Sequence, residues 1–99
     1  MAPILVSFQV LPSGLTGREE VYRAVDAAID VVAQSGLPYK VAPTETTVEG
    51  EYDQVMALIK QAQEAVLQAG ADRLFTFIKV DYNPQGATID ERLAHYPDA

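Results

Sequence analysis

Two stretches of apolar residues at helical spacing, each set between runs of β-forming residues, constrain this chain more than any other feature. Val21, Val25, Ala28 and Val32 recur three to four residues apart, as do Tyr52, Val55, Ile59, Ala62 and Val66. That spacing puts each set on one helix face. The first helix is read from Thr16 to about Ser35. Thr16 and Glu19 are spaced for a capping box, Gly36 is the expected left-handed stop, and Pro38 blocks continuation. The second is read from about Glu51 to Ala69, with Gly70 as its stop.

The flanking runs follow a period of two. Ile4 to Leu11, bounded by Pro3 and Pro12, reads as a first strand with Val6, Phe8 and Val10 on one side and Leu5, Ser7 and Gln9 on the other. Tyr39 to Ala42 and Thr44 to Gly50 read as the second and third strands, joined through Pro43 as a hairpin. Arg73 to Asp81 reads as the fourth, with Leu74, Thr76, Ile78 and Val80 alternating with Phe75, Phe77 and Lys79. Beyond it the tail, residues 82–99, opens with the turn Asn83-Pro84-Gln85-Gly86. Thr88 and Glu91 are spaced for another capping box, which predicts a short helix from about Ile89 to Tyr96.

The order strand, helix, strand, strand, helix, strand predicts a split β-α-β arrangement, an α+β ferredoxin-like βαββαβ sandwich with a four-stranded antiparallel sheet. Right-handed crossovers place both helices on one face. That face should take Val6, Phe8, Val10, Val48, Ile78 and Val80. The other should carry Leu5, Ser7, Gln9, Thr47, Glu49, Phe75, Phe77 and Lys79. Ninety-nine residues suit one domain over 1–99 and bury a modest share of their surface, so association with further copies is expected.

Composition narrows the function. Fourteen acidic residues against seven basic ones leave a formal charge of −7, a poor partner for nucleic acid or an anionic membrane. The absence of cysteine excludes a disulfide framework, a thiolate nucleophile and a cysteine zinc site. No metal is expected, because one histidine and scattered carboxylates give no ligand spacing. No signal-like or membrane-spanning run is recognised, which makes the cytoplasm the expected location. His95 reads as a surface residue of the tail, and Asp90 and Glu91 as first-turn helix charges.

The uncovered sheet face carries the functional expectation. Two phenylalanines and a leucine on an exposed face mark association. The same face could form a pocket walled by Phe75 and Phe77, with Ser7, Gln9, Thr47 and Glu49 as its polar groups. A carboxylate beside aromatic rings suits a flat, nitrogen-rich cation. Tyr39 either lines that site or packs at a strand edge with its hydroxyl in water. Catalysis is not expected. The Pro12–Gly17 loop has no arginine and only two glycines, unlike the phosphate cradle of acylphosphatases, and no Ser-His-Asp set can form around a lone tail histidine.

The segments Gly36-Leu37-Pro38-Tyr39, Pro43-Thr44-Glu45-Thr46-Thr47-Val48-Glu49-Gly50, Phe77-Ile78-Lys79-Val80-Asp81 and Thr88-Ile89-Asp90-Glu91-Arg92-Leu93 resemble the small thiamine-binding-protein family over nearly the whole chain, from Leu5 to Leu93. The resemblance implies a ferredoxin-like domain, a homodimer or homotetramer assembled through the sheets, and non-catalytic binding of thiamine or its hydroxymethylpyrimidine part. It carries Ser7, Thr46, Thr47 and Glu49 over as ligand contacts. Thiamine is then a ligand, and no cofactor is expected. The competing expectation is a regulatory or structural oligomerisation module with a different ligand or none.

Overall fold

The computed structural model describes residues 2–96. Its elements run β1 (Ile4–Ser13), α1 (Gly17–Ala33), β2 (Tyr39–Val41), β3 (Thr46–Gly50), α2 (Tyr52–Gln68), β4 (Arg73–Asp81) and α3 (Ile89–Leu93). The four strands form one antiparallel sheet in the order β2-β3-β1-β4. This is the expected α+β ferredoxin-like topology, with a third, short helix in the tail.

β1 runs on through Pro12, two residues past the predicted stop. The reason lies in its neighbours. β3 pairs with β1 only from Ile4 to Phe8, whereas β4 pairs with it from Leu5 to Ser13. Pro12 therefore sits where one edge of β1 is free, so its missing N–H removes no ladder bond on that edge.

The core lies between the sheet and the two long helices. Val6, Phe8 and Val10 of β1 and Val48 of β3 meet Ala24, Ala28 and Val32 of α1 and Val55, Leu58, Ile59, Ala62 and Val66 of α2. Alanines on α1 allow the helices to approach closely. The buried stripe of α2 takes Leu58 in place of the expected Tyr52. Tyr52 stands at the first turn, where its ring meets Tyr82 with centroids 5.7 Å apart. On α1, Val21 and Val25 are half-buried at the flank of the stripe.

The helix ends depart from the simple capping pattern in one place. Thr16 is the N-cap of α1, but its side chain makes no cap bond, and Glu20 rather than Glu19 reaches back, accepting from the Thr16 N–H at 2.6 Å. The tail helix follows its prediction, with the Thr88 hydroxyl accepting from the Glu91 N–H at 3.1 Å, although it ends at Leu93. Gly36 turns the chain with φ +82°, as expected of a left-handed stop. Gly50 matters for a different reason: a Cβ there would lie 2.9 Å from Cγ2 of fully buried Val55, so any side chain would have to displace the core at the start of α2.

Ile78 and Val80 overturn one expectation. They do lie on the helix side of β4, yet they are 39% and 41% exposed. β4 is an edge strand and the helix layer does not extend over this half of it. Thr76 still reaches α2, donating its hydroxyl to Gln63 Oε1 at 3.1 Å.

Candidate functional site

The strand registers fix what the uncovered face presents. Ser7 stands between Thr47 on β3 and Lys79 on β4, and Leu5 stands between Glu49 and Asp81. Lys40 of β2 lies beside Thr47. Since alternate residues share a face, Ser7, Thr47, Lys79 and Lys40 form one row across the sheet.

That row is tied together. Ser7 Oγ and Thr47 Oγ1 are 2.7 Å apart and share a hydrogen bond. Glu45, just ahead of β3, reaches across β1 to place Oε1 2.9 Å from Lys79 Nζ. The tail closes one side. Glu49 Oε1 accepts from the Ile89 N–H at 2.8 Å, the Ala87 N–H donates to the Pro3 carbonyl at 2.9 Å, and Arg92 Nη1 lies 3.5 Å from Asp81 Oδ2. α3 is thereby held against the sheet, and Leu5 is buried beneath it although it belongs to the uncovered face.

Between α3 and the sheet lies a groove of about 540 Å³. Ser7 and Thr47 are on its floor with Leu5. Lys40, Lys79 and Asp81 supply charges from the strands and Glu45 from the residue ahead of β3, and Ile89, Arg92, Leu93 and Tyr96 supply the tail wall. Three of the seven basic residues of the chain stand here with two carboxylates, so the groove is mixed in charge within an otherwise acidic protein. Its rotatable hydroxyls can donate or accept, its carboxylates can accept, and the Tyr96 ring offers an apolar surface.

Of the expected site residues, Ser7 and Thr47 come together in this groove. Glu49 serves at its edge, one carboxylate oxygen committed to the start of α3. Gln9, Phe75 and Phe77 share the uncovered face but lie at its other end. Phe77 pairs with Gln9, four residues along β1 from Leu5, which is roughly 13 Å at strand rise. Phe75 and Phe77 are 59% and 60% exposed, and the Arg73 guanidinium lies 4.7 Å from the Phe75 ring centroid. Thr46 is on the helix side, 6% exposed and opposite Phe8. It lines a separate cleft of about 460 Å³ against α1, together with Phe8, Val25 and Val41. Tyr39 shares the helix side, through its pairing with Val48.

Lys40, Glu45, Asp81, Arg92 and Tyr96 are among the groove residues that the pattern of the sequence did not single out. The capping box at Thr88 located α3, but only the bond from Ile89 to Glu49 brings it over the sheet. Replacing Glu49 with alanine is therefore expected to lower stability by about 1.5–3 kcal/mol, the worth of a hydrogen bond to a charged group, and to speed amide exchange at Ile89. Glu49→Gln keeps an acceptor and should recover most of that loss. Urea unfolding with hydrogen exchange checks this, and an unchanged Ile89 rate in Glu49→Ala would show that α3 is held by other contacts.

With the geometry in view, known proteins match along almost the whole chain. A family model described as thiamine-binding protein matches residues 6–97. The chain belongs to this family. A UPF0045 protein of Clostridium perfringens is 37% identical over 91 residues, 92% of this chain and 94% of that protein. Among solved structures, a DUF77 domain of unknown function from Bacillus cereus is 45% identical with a TM-score of 0.90, over 98% of this chain and 92% of that one. A Thermotoga maritima protein, described as a candidate for thiamine biosynthesis or salvage, is 31% identical with a TM-score of 0.85, over 95% and 98%. Among the described residues no helix is long and apolar enough to cross a membrane.

Proposed function

We propose that this chain binds thiamine, or its hydroxymethylpyrimidine part, in the groove between α3 and the sheet, and releases it unchanged. The observation that carries the reading is the bonded hydroxyl pair of Ser7 and Thr47 on the floor of a groove of about 540 Å³, in a member of a thiamine-binding family. Grooves of about 300–1,000 Å³ suit ligands of this size. An aminopyrimidine edge offers a donor beside ring-nitrogen acceptors, which rotatable hydroxyls can match in either direction. Glu45 and Asp81 can each receive an amino group or face the positive thiazolium, and Tyr96 can lie along a ring. Glu49 keeps Oε2 available while Oε1 holds the tail.

The proposed contacts are thus Ser7, Thr47, Glu45, Asp81 and Tyr96, with Glu49 as the support of the wall. Phe75, Phe77 and Leu11 form the exposed apolar end of the same face, with half-buried Gln9 among them. We assign that end to association with further copies in a homo-oligomer. The proposal includes no chemical step, and it is supported by the pairing of four charged groups of the lining, Lys79 with Glu45 and Arg92 with Asp81.

Isothermal titration calorimetry with thiamine, and in parallel with hydroxymethylpyrimidine, tests the proposal. Saturable heat with about one ligand per chain is expected, and equal affinity for the fragment would show that the pyrimidine half is the part recognised. Absence of both heat and thermal stabilisation with either compound would replace this reading with that of an oligomerisation module.

A further inference from the structure

The charges that line the groove do not balance. Lys40, Lys79 and Arg92 stand with Glu45 and Asp81, three cations against two carboxylates, in a chain whose formal charge is −7. Two ion pairs take four of these five groups: Lys79 Nζ lies 2.9 Å from Glu45 Oε1, and Arg92 Nη1 lies 3.5 Å from Asp81 Oδ2. Lys40 belongs to neither pair. Glu49, at the edge, gives Oε1 to the Ile89 N–H and forms no pair with Lys40.

The register fixes where this cation stands. Lys40 is opposite Thr47, Thr47 is opposite Ser7, and Ser7 is opposite Lys79. Directly opposed residues of antiparallel strands have Cα atoms about 4.5–5.5 Å apart. The bonded hydroxyls on the floor are thus flanked by two ammonium groups, one answered by Glu45 and the other by no carboxylate among the described residues.

We propose that the groove prefers the phosphate monoesters of the compounds assigned to it, and that Lys40 is the residue that sets this preference. The inference rests on the reading of the groove as the ligand site. Thiamine and hydroxymethylpyrimidine each end in a primary alcohol, which phosphate can esterify. Such an ester carries a charge of about −1.5 to −2 at neutral pH and three strong acceptor oxygens. An ammonium group offers three donors, and its bonds to an ionised acceptor are stronger than neutral ones. With the pyrimidine on the Ser7–Thr47 pair, an ester oxygen directed along the row toward β2 meets Lys40. The acidic remainder of the chain opposes this weakly, because charges beyond about 8 Å are largely screened at physiological ionic strength.

Calorimetry with four compounds tests the proposal: hydroxymethylpyrimidine, its monophosphate, thiamine and thiamine monophosphate. At least one ester is expected to bind about three- to tenfold tighter than its parent alcohol, the range of a single accessible charge pair up to a partly desolvated one. The arm that shows the gain identifies which alcohol lies toward Lys40. The gain should shrink as salt rises from about 0.1 M to 1 M, where the screening length falls from about 10 Å to about 3 Å. Lys40→Met should abolish it while leaving the affinity for the parent alcohols unchanged, and Lys40→Arg should retain it. Lys60→Met removes the same charge from an exposed position on α2 and should leave the gain intact, which separates a local effect from a change in net charge. Circular dichroism on each variant confirms folding. Alcohols that bind with esters no tighter overturn this inference and leave the groove as the ligand site. A gain that survives in Lys40→Met, falls equally in Lys60→Met or ignores salt also overturns it. No binding by any of the four compounds removes both readings.

Discussion

Ile59→Ala is expected to cost about 2–5 kcal/mol of folding stability, the usual loss when a buried Ile is cut to Ala. Ile59 is among the largest fully buried side chains of the protein and lies in the middle of α2, on the stripe that meets the sheet. Neighbours on that stripe, Val55, Leu58, Ala62 and Val66, are held on a rigid helix and cannot collapse far into the space vacated. Domains of about this size are stable by only about 5–15 kcal/mol in all. The substitution should therefore shift the urea midpoint by a large fraction while leaving the slope unchanged. Leu67→Ala on the same helix removes a similar volume from an exposed position and should cost well under half as much. Equal shifts for the two variants would show that α2 does not present this face to the sheet.

The same helix shows where the sequence could be read. The elements were legible because their signals are local: helical spacing, alternation along strands, glycine at helix stops. Parity along each strand also placed Ser7 and Thr47 together, and the register bears this out with a hydrogen bond between them. Parity alone places Thr46 with Val48 on the helix side. Its assignment to a ligand came from the family resemblance, and the register puts it opposite buried Phe8. The exposure of Ile78 and Val80 was not legible, because it depends on how far a helix layer reaches across a sheet, which no single strand encodes.

The tail was half legible for the same physical reason. Its capping box marks a helix, since Thr88 and Glu91 are neighbours in the chain. That the helix folds back over Leu5 depends on one long-range bond, Glu49 to the Ile89 N–H, across forty residues. With α3 in place the groove acquires Arg92, Leu93 and Tyr96 as a wall. Without it, the uncovered face would have seemed to offer only Phe75 and Phe77 as aromatic partners for a ring. Parity along the strands therefore put Ser7 and Thr47 on one face, whereas the Tyr96 wall of the groove depends on that long-range bond.

Ser7→Val should weaken thiamine binding by about ten- to a hundredfold, which is about 1.4–2.7 kcal/mol, while leaving the fold intact. Valine is a good strand residue and close to serine in reach, so β1 should keep its register. The change removes one hydroxyl from the floor of the groove and leaves Thr47 Oγ1 without its partner at 2.7 Å. A ligand polar edge set against that floor then lacks a hydrogen bond that water had provided in the free state, and such unmade bonds are costly. Thr47→Val should have a comparable effect. Because the two hydroxyls bond each other, the double variant should lose less than the sum of the two singles, as groups in one network do. Calorimetry on all three variants measures this coupling. Affinity unchanged in both single variants would remove the hydroxyl pair from the site. Strictly additive losses would mean that the ligand engages the two hydroxyls separately, having displaced the bond between them.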